Sequence, residues 1–187
     1  GNQTLAGTYT VVGTNATTSC TNAMSGNAVV VMNPAPIAYA VTGGGPYCAG
    51  GVGVNIGVAN SQTGIVYQLY RGATAVGSPV SGTGSAISFG LQTVAGAYSV
   101  LATNTTTSCT NAMSGSTTVV VNPLPNAYST YGGGSYCAGG SGLAVGLSSS
   151  QTGISYQLYN TGTATGAAVS GTGSSISFGL QTAAGTY

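Results

Sequence analysis

Apolar residues alternate with small or polar residues over short stretches along the whole chain. In its middle part these stretches are 52–58, 65–69, 76–80, 87–89, 98–102 and 119–121. An alternation of period two, rich in Val, Ile and Tyr, predicts half-buried β-strands. About seven such strands, separated by Gly, Pro and Ser turns, are typical of an immunoglobulin-like β-sandwich. The side chains expected to face its core are Val54, Ile56, Val58, Ile65, Tyr67, Leu69, Ile87, Phe89, Tyr98, Val100, Ala102, Val119 and Val121.

The pattern repeats with a period of 89 residues. The sequence TTSCTNAMSG occupies 17–26 and again 106–115, and SQTGIVYQLY at 61–70 returns as SQTGISYQLY at 150–159. No gap interrupts this register. A period of this length is too long for one turn of a solenoid and fits one whole small β-domain. We therefore expect tandem immunoglobulin-like domains.

Paired prolines mark the expected boundaries between repeats. The segments 33–36 (NPAP) and 122–125 (NPLP) each follow a run of valines. Proline cannot donate to a sheet and favours stiff, extended linkers. We expect residues 1–36 to be the C-terminal part of one repeat with its linker. Residues 37–125 then form a complete repeat, and residues 126–187 form the N-terminal part of the next.

Charged residues are almost absent, which removes whole classes of function. The 187 residues include one cation, Arg71, and no Asp, Glu or His. General acid–base catalysis, catalytic triads and His or carboxylate metal sites lack their residues. One cation cannot form a patch that attracts nucleic acid, and no apolar run reaches the roughly 20 residues of a membrane span. We expect no enzyme, no cofactor, no bound metal, no nucleic-acid partner and no membrane insertion.

The order of several motifs resembles a known family. YCAGG at 47–51 is followed by SQTGIVYQLY, SGTGSAISFG, AGAYSV, TSCTNAMSG and a valine-rich segment before NPLP. This arrangement resembles the tandem immunoglobulin-like repeats of giant secreted surface proteins in Bacteroidota. The resemblance implies an adhesin-like or structural protein outside the cell and nothing catalytic.

Four cysteines, two per period, indicate structural disulfides and an extracellular location. Cys48 and Cys109 fall in the same expected domain, and their bond would close a loop worth about 4 kcal/mol. Cys20 and Cys137 would then pair with cysteines outside this chain. If Cys48 ends a first strand, however, it lies at the end of the domain opposite Cys109, and bonds between successive domains are better placed. We expect the bond within the domain, with the bond between domains as the alternative.

Tyrosine is the residue type best suited to hold a ligand here. Tyr39, Tyr47 and Tyr70 are candidates for stacking on sugar rings, although packing in the core explains them as well. Tyr9, Tyr98 and Tyr187 each follow an AGxY step, which is typical of a tyrosine corner with a hydroxyl bonded to backbone.

Hydroxyl and amide side chains are candidate attachment points for glycans. The sequons at Asn15 and Asn104 occupy the same repeat position, whereas the sequon at Asn2 has no counterpart. The candidate O-linked sites are Thr17, Thr18, Thr106, Thr107, Ser148 and Ser149. Thr is equally a good exposed strand residue, so the pattern alone does not require glycans.

A near-neutral chain has little electrostatic repulsion and tends to associate. We expect a secreted segment of an extracellular filament or surface stalk that associates with itself. The alternatives are an adhesin repeat that binds carbohydrate through exposed tyrosines, and a spacer that carries a functional tip domain.

Overall fold

A computed structural model describes all 187 residues, and every regular element in it is a β-strand. The strands are β1 (Gly7–Tyr9), β2 (Val12–Thr14), β3 (Thr21–Ala23), β4 (Ala28–Val30), β5 (Val41–Gly43), β6 (Gly45–Cys48), β7 (Val54–Val58), β8 (Ile65–Arg71), β9 (Thr74–Ser81), β10 (Ile87–Gln92), β11 (Gly96–Asn104), β12 (Thr110–Ala112), β13 (Thr117–Asn122), β14 (Thr130–Gly132), β15 (Leu143–Leu147), β16 (Ser155–Asn160), β17 (Thr163–Ser170) and β18 (Ile176–Gln181). The expected all-β class is confirmed.

The chain divides into two compact units, Gly1–Asn122 and Pro123–Tyr187. In the first unit, residues 37–122 form two sheets. One has the strand order β10-β7-β5, and the other has the order β6-β13-β11-β8-β9 with β12 beside β11. All neighbours in these sheets are antiparallel except β6 and β13, which run parallel.

The core of the first unit contains the side chains that the alternation places inside. Tyr67, Leu69, Ile56 and Ala102 are fully buried. The Tyr67 hydroxyl accepts a hydrogen bond of 2.8 Å from the Gln62 backbone N–H, so its one polar atom has a partner. Val54, Phe89 and Val121 lie half-buried at the edge of this core.

The second unit repeats the pairing of the first, 89 positions later. It contains the sheets β14-β15-β18 and β16-β17. Tyr131 opposes Gly146 as Thr42 opposes Gly57, and the irregularity between Tyr67 and Leu69 recurs between Tyr156 and Leu158. The sequence repeat is therefore a structural repeat.

The complete repeat has nine strands rather than about seven. Its first strand is divided into β5, which joins β7, and β6, which joins β13. The division occurs at Gly43–Gly45, all three with positive φ, a conformation that glycine adopts without steric cost. A Cβ on Gly43 would lie 2.0 Å from the Asn55 carbonyl oxygen, so the close approach of β5 to β7 also requires glycine.

Replacing Gly43 with alanine tests this division of the first strand. Gly43→Ala adds both backbone strain and a clash with Asn55, so we expect it to lower the free energy of unfolding by about 2–5 kcal/mol. Gly50 has a similar φ of +81°, but a Cβ added there would meet no atom within 4 Å. Gly50→Ala should therefore cost only about 1–2 kcal/mol. Urea denaturation measures both. Equal losses would contradict a close β5–β7 approach.

Candidate functional site

The three candidate stacking tyrosines do not form one cluster. Tyr39 and Tyr47 are half-buried and pack against the core. The Tyr47 hydroxyl also donates to the Thr93 carbonyl oxygen. Tyr70 lies on β8 at a position that alternates with buried Tyr67 and Leu69, so it faces away from the core. Of the three, only Tyr70 lies on the outer face, and it is half-buried there.

The tyrosine-corner prediction is confirmed at all three AGxY steps. Each hydroxyl donates to the carbonyl oxygen four residues earlier: Tyr9 to Leu5 at 2.8 Å, Tyr98 to Val94 at 2.7 Å and Tyr187 to Ala183 at 2.6 Å. Each bond holds a tyrosine against the turn that precedes it. Their hydroxyls are therefore structural.

The strand register contradicts the expected Cys48–Cys109 disulfide. Cys48 ends β6 in register with Asn122, the last residue of β13, close to the beginning of β11. Cys109 lies beyond the other end of β11, where its carbonyl accepts the Asn104 N–H at 2.9 Å. The length of β11 separates the two cysteines by about 27 Å or more, whereas a disulfide requires Cα atoms within about 7 Å.

All four cysteines are free thiols in the structure, and Cys20, Cys48 and Cys137 are exposed. Cys109 is half-buried, and its thiol lies 3.7 Å from the Asn33 carbonyl oxygen as a weak donor. The spacing of cysteines in the sequence carries no information about which end of the domain each one occupies. The pairing of residues 45–48 with β13 shows at which end of the domain Cys48 lies.

The sequon asparagines organise identical turns in both copies. The Asn104 side-chain oxygen accepts the N–H groups of Thr106 and Thr107 at 2.9 and 3.1 Å, and Asn15 does the same for Thr17 and Thr18. Asn15, Thr17, Thr18, Thr106 and Ser148 are exposed, while Asn104, Thr107 and Ser149 are half-buried. Glycosylation of these residues stays a prediction.

A cleft of about 330 Å³ opens in the C-terminal unit. Its lining includes Gly133, Gly134 and Tyr187, which correspond to Gly44, Gly45 and Tyr98 in the complete repeat. There the same positions are covered by β13: Gly45 pairs with Val119, and Tyr98 pairs with Thr117. The cleft therefore occupies the place of a β-strand and contains no charged side chain.

No model of a known protein family matches the chain, and comparison with curated proteins gives no significant match. The structure contains no helix with the length and apolar character needed to cross a membrane. The four cysteines do not come together in a group of three or more that could hold a metal ion. Inference about function therefore rests on the fold, the repeat and its junctions.

A peptide with the strands that cover the equivalent positions in residues 37–122 tests the nature of the cleft. A synthetic peptide of residues 99–122 contains most of β11, all of β12 and all of β13, and we expect it to bind the 187-residue chain by strand addition. Binding should slow amide exchange in β14–β16, measured by mass spectrometry. A control peptide with Val100→Asp and Val119→Asp cannot bury these two positions and should not bind. Equal effects of both peptides would contradict the interpretation.

Proposed function

We propose that this chain is a structural segment of a tandem-repeat protein that forms an extracellular filament or surface stalk. One comparison carries the proposal. Val100 and Met113 are 2% and 5% exposed in the complete repeat, while Val11 and Met24, at the same repeat positions, are 64% and 46% exposed. The apolar residues that fill the core of the complete repeat thus recur at the same positions 89 residues earlier, which supports a tandem-repeat protein.

The strand order supports an immunoglobulin-like repeat. In immunoglobulin domains the first, second and fifth strands share one sheet, and the third, sixth and seventh share the other. Here β5, β7 and β10 share one sheet, and β8, β11 and β13 are neighbours in the other. The motif order that resembles secreted repeats of Bacteroidota supports the same assignment and an extracellular location.

The junctions between repeats support a mechanical role. Pro36 is buried, and its carbonyl oxygen accepts the Asn111 side-chain N–H at 2.7 Å. The next residue, Ile37, donates its backbone N–H to the Gln62 side-chain oxygen at 2.7 Å. At the same position in the next copy, the Asn126 backbone N–H donates to the Gln151 side-chain oxygen at 2.6 Å. Each linker is therefore held by side-chain hydrogen bonds against the repeat that it enters, and its prolines favour an extended conformation.

The lack of charge suits contacts between copies of the same protein. Arg71 is replaced by Asn160 in the next copy, so no ionic contact recurs along the repeat. Association through apolar and hydrogen-bonding surfaces depends little on ionic strength, because screening acts on charges. Self-association into fibres is thus the partner interaction that the composition favours, and glycans on the exposed Asn-Thr turns would keep the fibres hydrated.

Electron microscopy of the native secreted material tests the proposal. Strands of about seven residues span roughly 23 Å, and loops and linker bring the expected axial repeat to about 35–45 Å. Long filaments with this spacing or a multiple of it are the expected result, and extra density at Asn104 would locate a glycan. Short, flexible beads that end in a distinct globular tip would contradict the proposal and identify the repeats as a spacer.

A further inference from the structure

The two cysteines of a repeat lie at opposite ends of it, and each lies beside a proline linker. At the C-terminal end, Cys48 is in register with Asn122, the first residue of the linker 122–125. The residue after it, Ala49, donates its backbone N–H to the Asn122 carbonyl oxygen at 2.8 Å. Cys48 is thus attached to the point where the chain leaves the repeat.

At the N-terminal end, Cys109 lies beside the preceding linker. Its Sγ is 3.7 Å from the carbonyl oxygen of Asn33, the first residue of the linker 33–36. The neighbouring Asn111 side chain donates to the Pro36 carbonyl oxygen at 2.7 Å and holds the end of this linker. Cys109 is thus fixed against the linker through which the chain enters the repeat.

Asn33 and Asn122 occupy the same position in the repeat, 89 residues apart. At Asn122, the carbonyl oxygen accepts the N–H of Ala49, the residue that follows Cys48 of the preceding repeat. At Asn33, the carbonyl oxygen lies within weak hydrogen-bond distance of the Cys109 thiol of the following repeat. The two contacts are observed at different asparagines, Asn122 and Asn33, and in a tandem array they would bring a Cys48-type and a Cys109-type cysteine to the same asparagine.

From this convergence, and on the basis of the proposed tandem array, we propose that a disulfide joins successive repeats. It connects the cysteine at the Cys48 position of one repeat to the cysteine at the Cys109 position of the next. Cys20 occupies the same repeat position as Cys109, and Cys137 the same repeat position as Cys48. Under this pairing, the partner of each of the four cysteines lies outside residues 1–187. Their free state in the structure agrees with this assignment.

The bond forms by thiol–disulfide exchange with a low-molecular-weight disulfide such as oxidised glutathione. One cysteine thiolate attacks that disulfide and releases one thiol, and the second cysteine thiolate then displaces the other. Two cysteine thiols lose two protons and two electrons, one S–S bond forms in the protein, and the oxidant is reduced to two thiols. The exposure of Cys48 allows the first attack.

These bonds would limit the extension of the array. Between one disulfide and the next, the chain covers two repeats with the 28 residues from a Cys109-type cysteine to the following Cys48-type cysteine, as from Cys109 to Cys137. Fully extended, 28 residues span about 95 Å, while two folded repeats span about 70–90 Å. The covalent segment would therefore become taut after about 5–25 Å of extension per two repeats, and it would then protect the remaining sheets from further pulling.

A duplicated chain tests the pairing. Residues 1–187 are followed directly by a second copy that begins at Thr10, which keeps the 89-residue register because Tyr9 and Tyr187 share one repeat position. The proposal pairs Cys48 of the first copy with Cys20 of the second. Cys20→Ser in the first copy and Cys48→Ser in the second copy leave one Cys20 and one Cys48, so each peptide has a single origin. The protein is refolded at low concentration in a glutathione redox buffer and digested with chymotrypsin without reduction.

The expected product is the peptide 48–67 joined to the peptide that contains Cys20, identified by its mass and by its disappearance after reduction. In a control duplicate with Cys48→Ser in both copies this product is absent. A link from Cys48 to Cys109, or a Cys48 thiol that stays free in the folded duplicate, overturns the proposal. Either of those results leaves the proposed filament standing, whereas beads with a tip in electron micrographs would exclude the filament without altering the pairing measured here.

Discussion

Burial of the inner face of β11 is the interaction on which the rest of the structure depends. Tyr98, Val100 and Ala102 on this strand are between 0% and 2% exposed, and β11 contacts β8, β12 and β13. With one charged residue in the chain, apolar burial and hydrogen bonds are the available sources of stability. A repeat that lacks β11 and its neighbours leaves an open cleft in place of a closed core. Residues 37–122 therefore contain the strands that close one core.

The same constraint connects stability to mechanics. Each repeat closes its own core, and the linker between repeats is fixed at both ends by backbone and side-chain hydrogen bonds. The thiols at the junction would add a covalent connection that bypasses the sheets. An array built this way needs no charge for cohesion, and its length is set by strand length, linker geometry and the number of repeats.

The sequence predicts the strands well because alternation of apolar side chains reports directly on burial. Ile65, Tyr67 and Leu69 face the core as their spacing indicates, and the tyrosine corners follow from a local motif. The division of the first strand at Gly43–Gly45 was not predicted, because three glycines read equally well as a simple turn. That division places β6 beside β13 and decides the position of Cys48. The expected Cys48–Cys109 bond is wrong for this reason, since residue spacing does not reveal which end of a sheet a cysteine occupies.

Amide hydrogen exchange on the 187-residue chain tests the central claim most directly. The sequence TTSCTNAMSG occurs at 17–26 and 106–115, and the N–H of its methionine makes the same 2.8 Å bond in both copies, Met24 to Val11 and Met113 to Val100. Intrinsic exchange rates are therefore equal, and only the surrounding core differs. We predict slow exchange of Met113 and its neighbours and fast exchange of Met24 and its neighbours. Equal protection of the two segments would contradict a core that exists only in a complete repeat.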